Sequence, residues 1–493
     1  MKTVVGIDLG TQHLKVAFYD FTAHRVVASE SAALDIHLGE QGEAEQKALW
    51  WVEALRRALQ QVDSDVRASA VGIGVSGQQH GFVALDDSGE VLAPVKLWCD
   101  TSTERECELI TDAFGGVDQC IEKVGNPILP GYTAPKVRWL RDSHPNLYEK
   151  LSTILLPHDY LNFVLTGERC MEAGDASGTG FLDVRNRTWS EPMLRAIDPD
   201  RDLLACLPEI RTRNEAIGVL QSKAADDLGL PAGIPVAVGG GDNMMGAIGT
   251  GNVRPGSLTM SLGTSGTVYA FSETPVIDPS GSIAAFCSST DGWLPLLCTM
   301  NCTVSTELMR KLLNADIASF EAQIGAANRG ADGIITVPFF NGERTPNLPQ
   351  AKGVLVGLDS LNVRSENLLR SAVEGATFAL KFGIDALGKL GTEATEIIAT
   401  GGGANSPTWR QIIADVCNAP VVVPSNDEGA AFGAALQALS IVEQESDVSA
   451  IVEHHVHYEK EKGVEPSSTS SHFYEEVYSE YQRAVAQTAA LYE

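Results

Sequence analysis

One turn pattern occurs twice in this chain. Near the N terminus the apolar run Val4-Val5-Gly6-Ile7 stops at Asp8-Leu9-Gly10-Thr11, and far downstream Leu258-Thr259-Met260-Ser261 stops at Leu262-Gly263-Thr264-Ser265-Gly266. A second β-type run follows each turn, so each reads as a strand, a sharp turn and an antiparallel return. Glycine lets the backbone bend and come close to a ligand, threonine adds a hydroxyl, and successive turn amides form a concave anion site. A pair of such turns suits a triphosphate. Between them Gly239-Gly240-Gly241-Asp242-Asn243 sets an acid at the end of a third apolar run, Ile234-Pro235-Val236-Ala237-Val238.

Length points to the same duplication. Single hydrophobic cores stop growing at roughly 250 to 300 residues, so 493 residues imply two domains, read as 1–250 and 251–493. Hydrophobic residues make up 44% of the chain and charged residues 20%, as in compact globular proteins. The formal net charge is -28, from 36 basic and 64 acidic residues. Such a surface repels nucleic acid and anionic membrane, so neither is an expected partner, and its ordinary effect is solubility. Nine cysteines without a CxxC pair indicate neither a zinc ribbon nor a redox motif and read as reduced thiols. No long apolar segment precedes the first acid, and no later stretch is long enough to cross a bilayer, so cytoplasmic residence is the expectation.

In the first half, β-type runs at 3–7, 14–19 and 25–29 precede a helix predicted over 43–62, with apolar residues at Leu49, Val52, Leu55 and Leu59. A fourth run at 70–75 leads into Gly77-Gln78-Gln79-His80-Gly81. The second half repeats the scheme with strands at 257–261 and 267–271 and a long helix at 366–390. There follows Gly401-Gly402-Gly403-Ala404-Asn405, then Ser406 and Pro407, which mark a helix start. A glycine turn feeding a positive helix end is a phosphate or nucleotide site. His454, His455 and His457 lie in a polar tail, before a last helix at 471–492, and read as a solvated cluster.

Gly72-Ile73-Gly74-Val75-Ser76-Gly77 fits the dinucleotide-binding pattern GxGxxG, but a strand and not a helix follows it. No GxxxxGK[ST] stretch occurs, which leaves phosphate binding to the hairpin turns. Phosphoryl transfer to an alcohol needs a base, a metal ion and backbone donors around the γ-phosphate. Asp242 suits the base, since a carboxylate in a bulk-free turn reaches a substrate hydroxyl. Asp8 suits Mg²⁺, held through water, because that ion prefers oxygen ligands and keeps several of its waters. Taken singly, each acid also fits an Asx turn or a helix cap.

Taken together, the chain resembles the FGGY carbohydrate kinases along nearly its whole length. Gly131-Tyr132-Thr133-Ala134-Pro135-Lys136-Val137-Arg138-Trp139-Leu140 is similar to that family's first signature; Gly353-Val354-Leu355-Val356-Gly357-Leu358, followed by Asn367-Leu368-Leu369-Arg370-Ser371-Ala372-Val373-Glu374, is similar to its second. The resemblance implies an α/β fold, the two-lobed actin-like (ribonuclease H-like) ATPase architecture with a mixed sheet in each lobe, sugar bound by 1–250 and ATP by 251–493. Gly77-Gln78-Gln79-His80-Gly81 looks like the sugar loop of the D-xylulose-phosphorylating (xylulokinase) branch, and Asp242-Asn243 like its base and hydroxyl-binding amide. By resemblance, then, Asp242 is the base, and Gln79, His80, Asn243 and Asp100 hold the sugar. Asp8, Gly10 and Thr11 face phosphate and Mg²⁺, Gly263 and Thr264 the γ-phosphate, and Gly401, Gly402, Gly403 and Asn405 the adenosine end. The implied reaction is in-line transfer from MgATP to D-xylulose, in a cytoplasmic enzyme and possible homodimer. One departure leaves the sugar open: Trp98-Cys99-Asp100-Thr101-Ser102 carries Ser102 where many members carry Arg. A sister kinase for gluconate, ribulose or another polyol shares this core, and a non-catalytic sugar sensor or nucleotide switch shares the fold.

Overall fold

In the computed structural model, which describes residues 1–211 and 214–492, the first sheet grows outward from the N terminus. β1 (Thr3–Leu9) folds back antiparallel to β2 (His13–Asp20), and β2 to β3 (Arg25–Ala33). β4 (Ala70–Gly77) lies parallel to β1 on its other side. β5 (Ala216–Val219) and β6 (Pro235–Ala237) complete the order β5-β6-β4-β1-β2-β3, and Gly240–Gly241 continues the pairing along the end of β4. Both faces of β1 and β4 are covered, which is why their sequences are almost unbroken apolar runs.

The second sheet is built the same way. β7 (Ser257–Leu262) pairs antiparallel with β8 (Gly266–Ala270), and β8 with β9 (Leu296–Thr299). β10 (Glu396–Thr400) lies parallel to β7, and β11 (Val421–Val422) parallel to β10. The order β9-β8-β7-β10-β11 therefore repeats β3-β2-β1-β4-β6, an antiparallel trio followed by two parallel strands. The mixed sheet expected in each half is present.

The chain divides into two compact units. The first holds Met1–Val253, Ser272–Leu294 and Glu428–Val456; the second holds Arg254–Phe271, Pro295–Asp427 and the described chain from His457 onward. Two segments beyond residue 250 thus pack with the first unit. The helix Gly429–Glu443 covers β1 and β4, and glycines make that approach possible: a Cβ at Gly6 would fall on the Ala431 carbonyl oxygen, and one at Gly74 on that of Ala434. The GxGxxG run at 72–77 lies inside β4, where Gly74 admits a helix rather than a nucleotide.

Two local expectations are corrected. The helix predicted over 43–62 is Ala48–Gln61, preceded by a short strand, Ala44–Gln46. Its buried face carries Trp51, Ala54, Leu55, Ala58 and Leu59, while Leu49 is 60% exposed. The Trp51 indole N–H donates to Gln46 Oε1 at 2.9 Å, which fixes the helix with tryptophan inward. In the tail, Val448–His455 is a helix, and His455 is only 5% exposed. Its Nδ1 lies 2.9 Å from the Tyr19 hydroxyl and its ring stacks on His24, so it is a packed residue and not a solvated one. Among the described residues no helix is long and apolar enough to cross a membrane.

Candidate active site

In the first unit the sheet register brings two acids to the same strand ends. Asp8, near the end of β1, pairs with Ser76 of β4, whose hydroxyl donates to Asp8 Oδ1 at 2.8 Å. Ser76 in turn pairs with Gly240, and two residues later Asp242 opens the helix Asp242–Thr250 with Gly241 at its N-cap. Asp242 therefore stands at a positive helix end. Its Oδ1 accepts from the Asn243 backbone N–H at 2.8 Å and from Asn243 Nδ2 at 3.0 Å. Asn243 Nδ2 also donates to Gln79 Oε1 at 2.9 Å, so Asp242, Asn243 and the loop 77–81 form one bonded chain.

Burial, then the carboxylates of Asp8 and Asp175, push the Asp242 carboxyl up to about 7, against the donors from Asn243. An acid with a pKa near neutrality, in reach of a hydroxyl, is suited to take up a proton. Burial also raises Asp8, against the Ser76 hydroxyl and the Lys15 ammonium. Asp8 is a single, partly exposed oxygen donor, which fits a Mg²⁺ ion held through its own waters. Among the described residues no group of three or more acids, histidines or cysteines is arranged to hold a metal ion directly.

Around this pair the loop 77–81 is tied down. The first turn is closed by the Gly10 N–H donating to the His13 carbonyl at 3.0 Å. Thr11 Oγ1 donates to Gln78 Oε1 at 3.0 Å and accepts from the Trp98 indole at 2.9 Å. His80 has a φ of 66°, the left-handed region, and its carbonyl accepts from Lys136 Nζ at 2.8 Å and Thr133 Oγ1 at 3.2 Å. Its ring packs against Tyr132 and Phe286. Asp100 stands outside the Asp242–Gln79 chain of bonds. It is fully buried and accepts from the Ala44 N–H at 2.9 Å, Lys96 Nζ at 3.1 Å, and the Ser102 N–H and hydroxyl at 3.0 and 2.6 Å. Burial raises its carboxyl, but Ser102, Ala44 and Lys96 outweigh that and hold it below its ordinary value. Ser102 also accepts from Lys96 at 3.0 Å, so Lys96 supplies the cation at this point.

The second unit gathers the other predicted residues at its own strand ends. The Gly263 carbonyl accepts from the Thr303 N–H at 2.9 Å, and the Thr264 carbonyl from the Cys302 N–H at 3.0 Å. Ser261 of β7 pairs with Thr400 of β10, so the turn at 263–265 neighbours the turn at 401–405. Gly401 has a φ of 82° and lies against the Leu262 backbone. A Cβ at Gly403 would meet Leu262 and the Trp409 ring, whereas one at Gly402 would meet nothing within 4 Å. Gly401, Gly402 and Asn405 are exposed, leaving room for a nucleotide. The helix Pro407–Cys417 starts as its sequence predicts, with Ser406 Oγ accepting from the Trp409 N–H at 3.0 Å.

Sequence reasoning missed a buried charge cluster that adjoins Asp242. His158 Nδ1 lies 2.7 Å from Asp175 Oδ2, and His158 Nε2 is ion-paired with Asp159 Oδ1 at 2.9 Å. Glu172 caps the short helix Ala173–Ala176 through the N–H groups of Gly174 and Asp175. Pro157-His158-Asp159 reads in sequence as an ordinary helix start, and nothing local marks its histidine as buried.

Residues 3–249 match the FGGY family of carbohydrate kinases, N-terminal domain, and residues 258–441 its C-terminal domain. A xylulose kinase of Haemophilus influenzae is 41% identical over 484 residues, covering 97% of this chain and 98% of that protein. A xylulose kinase of Streptomyces coelicolor is 36% identical over 453 residues, covering 91% and 89%. The crystal structure of a xyloylose kinase from Brucella ovis superposes with a TM-score of 0.92 at 31% identity, over 99% of this chain and 100% of that one.

Proposed function

The chain belongs to the FGGY family of carbohydrate kinases, and from that premise we propose that it uses ATP to phosphorylate the C5 hydroxyl of D-xylulose. The observation that carries this reading is the Asp242 carboxylate at a helix start, bonded through Asn243 to Gln79 of the sugar loop. Relatives that match nearly end to end carry the name xylulose kinase, which supports the choice of sugar.

In the proposed reaction Asp242 accepts the C5 hydroxyl proton while that oxygen attacks the γ-phosphorus in line, the bond to the β-phosphate oxygen breaks, and ADP leaves. Gln79, His80 and Asn243 orient the sugar. Asp100 orders the loop that carries Trp98, and its place at the sugar is through that loop. Asp8, Gly10 and Thr11 face phosphate, Gly263 and Thr264 the γ-phosphate, and Gly401, Gly402, Gly403 and Asn405 the adenosine end. Mg²⁺, held by Asp8 through water, neutralises phosphate charge when bound. In this reading 1–250 supplies the sugar residues and 251–493 the nucleotide residues, in a cytoplasmic homodimer.

The test is ADP release from MgATP with D-xylulose, set against a sugar-free blank and a panel of other ketoses, polyols and sugar acids. Stimulation by D-xylulose alone is the expected result. Stimulation by another sugar would move the substrate and implicate the Ser102 pocket; none at all would remove the kinase reading.

A further inference from the structure

We propose that Gln46 is a positioning residue for sugar recognition: it closes a ring of hydrogen bonds that fastens the sugar loop 77–81 to the turn at Gly10-Thr11, and that ring leaves the Thr11 hydroxyl able only to accept from a ligand. This rests on the reading in which loop 77–81 holds the sugar and the turn meets phosphate.

Three residues form the ring: Thr11 Oγ1 donates to Gln78 Oε1 at 3.0 Å, Gln78 Nε2 donates to Gln46 Oε1 at 2.9 Å, and Gln46 Nε2 donates back to the Thr11 carbonyl at 2.8 Å. Each comes from a different part of the first unit, namely the turn after β1, the loop after β4 and the short strand Ala44–Gln46. Gln46 and Gln78 are each 1% exposed. Water therefore cannot replace a lost partner, and a broken bond leaves a stranded polar group.

The direction of every bond follows from the outermost partners. Gln46 Nε2 faces two backbone carbonyls, that of Thr11 and that of Asp35 at 2.9 Å, and a carbonyl only accepts. The amide nitrogen must point at them, so Oε1 is the end that accepts from the Trp51 indole and from Gln78. Gln78 then presents its own Oε1 to Thr11. The Trp98 indole, a donor only, lies 2.9 Å from the same Thr11 oxygen. The single proton of the Thr11 hydroxyl is thus committed to Gln78, and a lone pair is what it has left. An ionised phosphate oxygen also only accepts. Phosphate at this turn must be met by backbone N–H groups and not by the hydroxyl, whose lone pair suits a water molecule or another hydroxyl.

The ring matters more to the loop than to the turn. The turn belongs to the β1–β2 hairpin, whose pairing runs to Leu9 opposite Leu14 and is closed by the Gly10 N–H on the His13 carbonyl. The loop has the Gln78 N–H on the Leu9 carbonyl at 2.7 Å, and the next strand begins only at Val83. Between those points side chains hold it, Asn243 on Gln79 and Lys136 on the His80 carbonyl. Cutting the ring loosens Gln79 and His80 while the turn keeps its shape.

Steady-state kinetics on the full chain test this, with D-xylulose and ATP varied separately and melting temperature as a control. Gln46→Leu and the nearly isosteric Thr11→Val are each expected to raise the D-xylulose KM about tenfold, the effect of stranding a buried hydrogen-bonding group, with the ATP KM little changed. The double variant should add little to either, since both cut the same ring. If Gln46→Leu does not fold, Thr11→Val decides alone. A rise confined to the ATP KM in Thr11→Val would mean that the hydroxyl donates to phosphate and would overturn the proposal, as would an unchanged D-xylulose KM, an equal rise in both KM values or additive effects. Hydrogen exchange tests the ring without substrate: amides at 77–81 should exchange faster in either variant while the β1–β2 hairpin keeps its protection, and unchanged exchange at 77–81 would also overturn it. A wild-type protein without D-xylulose-dependent ADP release would instead overturn the reading beneath it and leave the exchange result standing.

Discussion

The Lys136 ammonium lies 2.8 Å from the backbone carbonyl oxygen of His80 and 2.6 Å from that of Gly131. This side chain, at the centre of the first signature, thereby clamps the loop 77–81 where its backbone is least comfortable, at the positive φ of His80. Burial pushes the amine down to about 7, with the Asp100 carboxylate acting against it. Lys136→Met keeps the apolar stem and removes both bonds. The D-xylulose KM is expected to rise roughly tenfold, equivalent to about 1.4 kcal/mol, with little change in the ATP KM. Kinetics with each substrate varied in turn check this, and equal effects on both would argue for general misfolding.

Asp242→Asn removes the proposed base and little volume. Turnover is expected to fall roughly 10²- to 10⁴-fold, while calorimetry shows D-xylulose binding within a few-fold of wild type. In the wild type the rate at saturating substrates should climb as pH passes through about 7, where Asp242 loses its proton.

The same raised carboxyl makes a stability prediction of opposite sense. Asp242 has a folded pKa of about 7 against 3.8 for the free group, so the fold favours its protonated form. That contribution is full below about 4 and is lost as pH rises to about 7. Complete burial would make it roughly 4 kcal/mol; the partial exposure of Asp242 reduces this. Asp242→Asn should therefore melt higher than wild type at pH 8, with the gap closing at pH 5. Thermal melts at the two pH values decide it, and a constant gap would count against the raised carboxyl.

Two glycines should behave differently. A Cβ at Gly74 would fall on the Ala434 carbonyl oxygen, so Gly74→Ala must push the helix Gly429–Glu443 away from β4, at a cost of about 3 kcal/mol or more. Gly402 faces open space, and Gly402→Ala should stay within about 0.5 kcal/mol of wild type in urea unfolding. In the proposed reading it nonetheless raises the ATP KM.

Features that depend on neighbours in sequence were legible. The strands of both sheets appear as apolar runs ended by glycine turns, and Ser406-Pro407 starts its helix as its residue types require. Asp242-Asn243 stood out because an acid after three glycines is chemically exposed. What depends on distant partners was not legible. Leu49 and Trp51 fit a helical period equally well, and Gln46 decides between them. No local pattern tells that His158 lies between two acids, or that residues 272–294 and 428–456 return to the first unit.

That return has a consequence for how the molecule is made. The helix Gly429–Glu443, with Phe432, Leu436 and Leu439 buried, closes over β1 and β4, yet it leaves the ribosome only after residues 78–428 have done so. β1 and β4 thus wait through the synthesis of those residues with an apolar, glycine-lined face uncovered. The first unit to begin is finished only after the second has been almost entirely spelled out, so the two cannot mature one after the other like beads on a string.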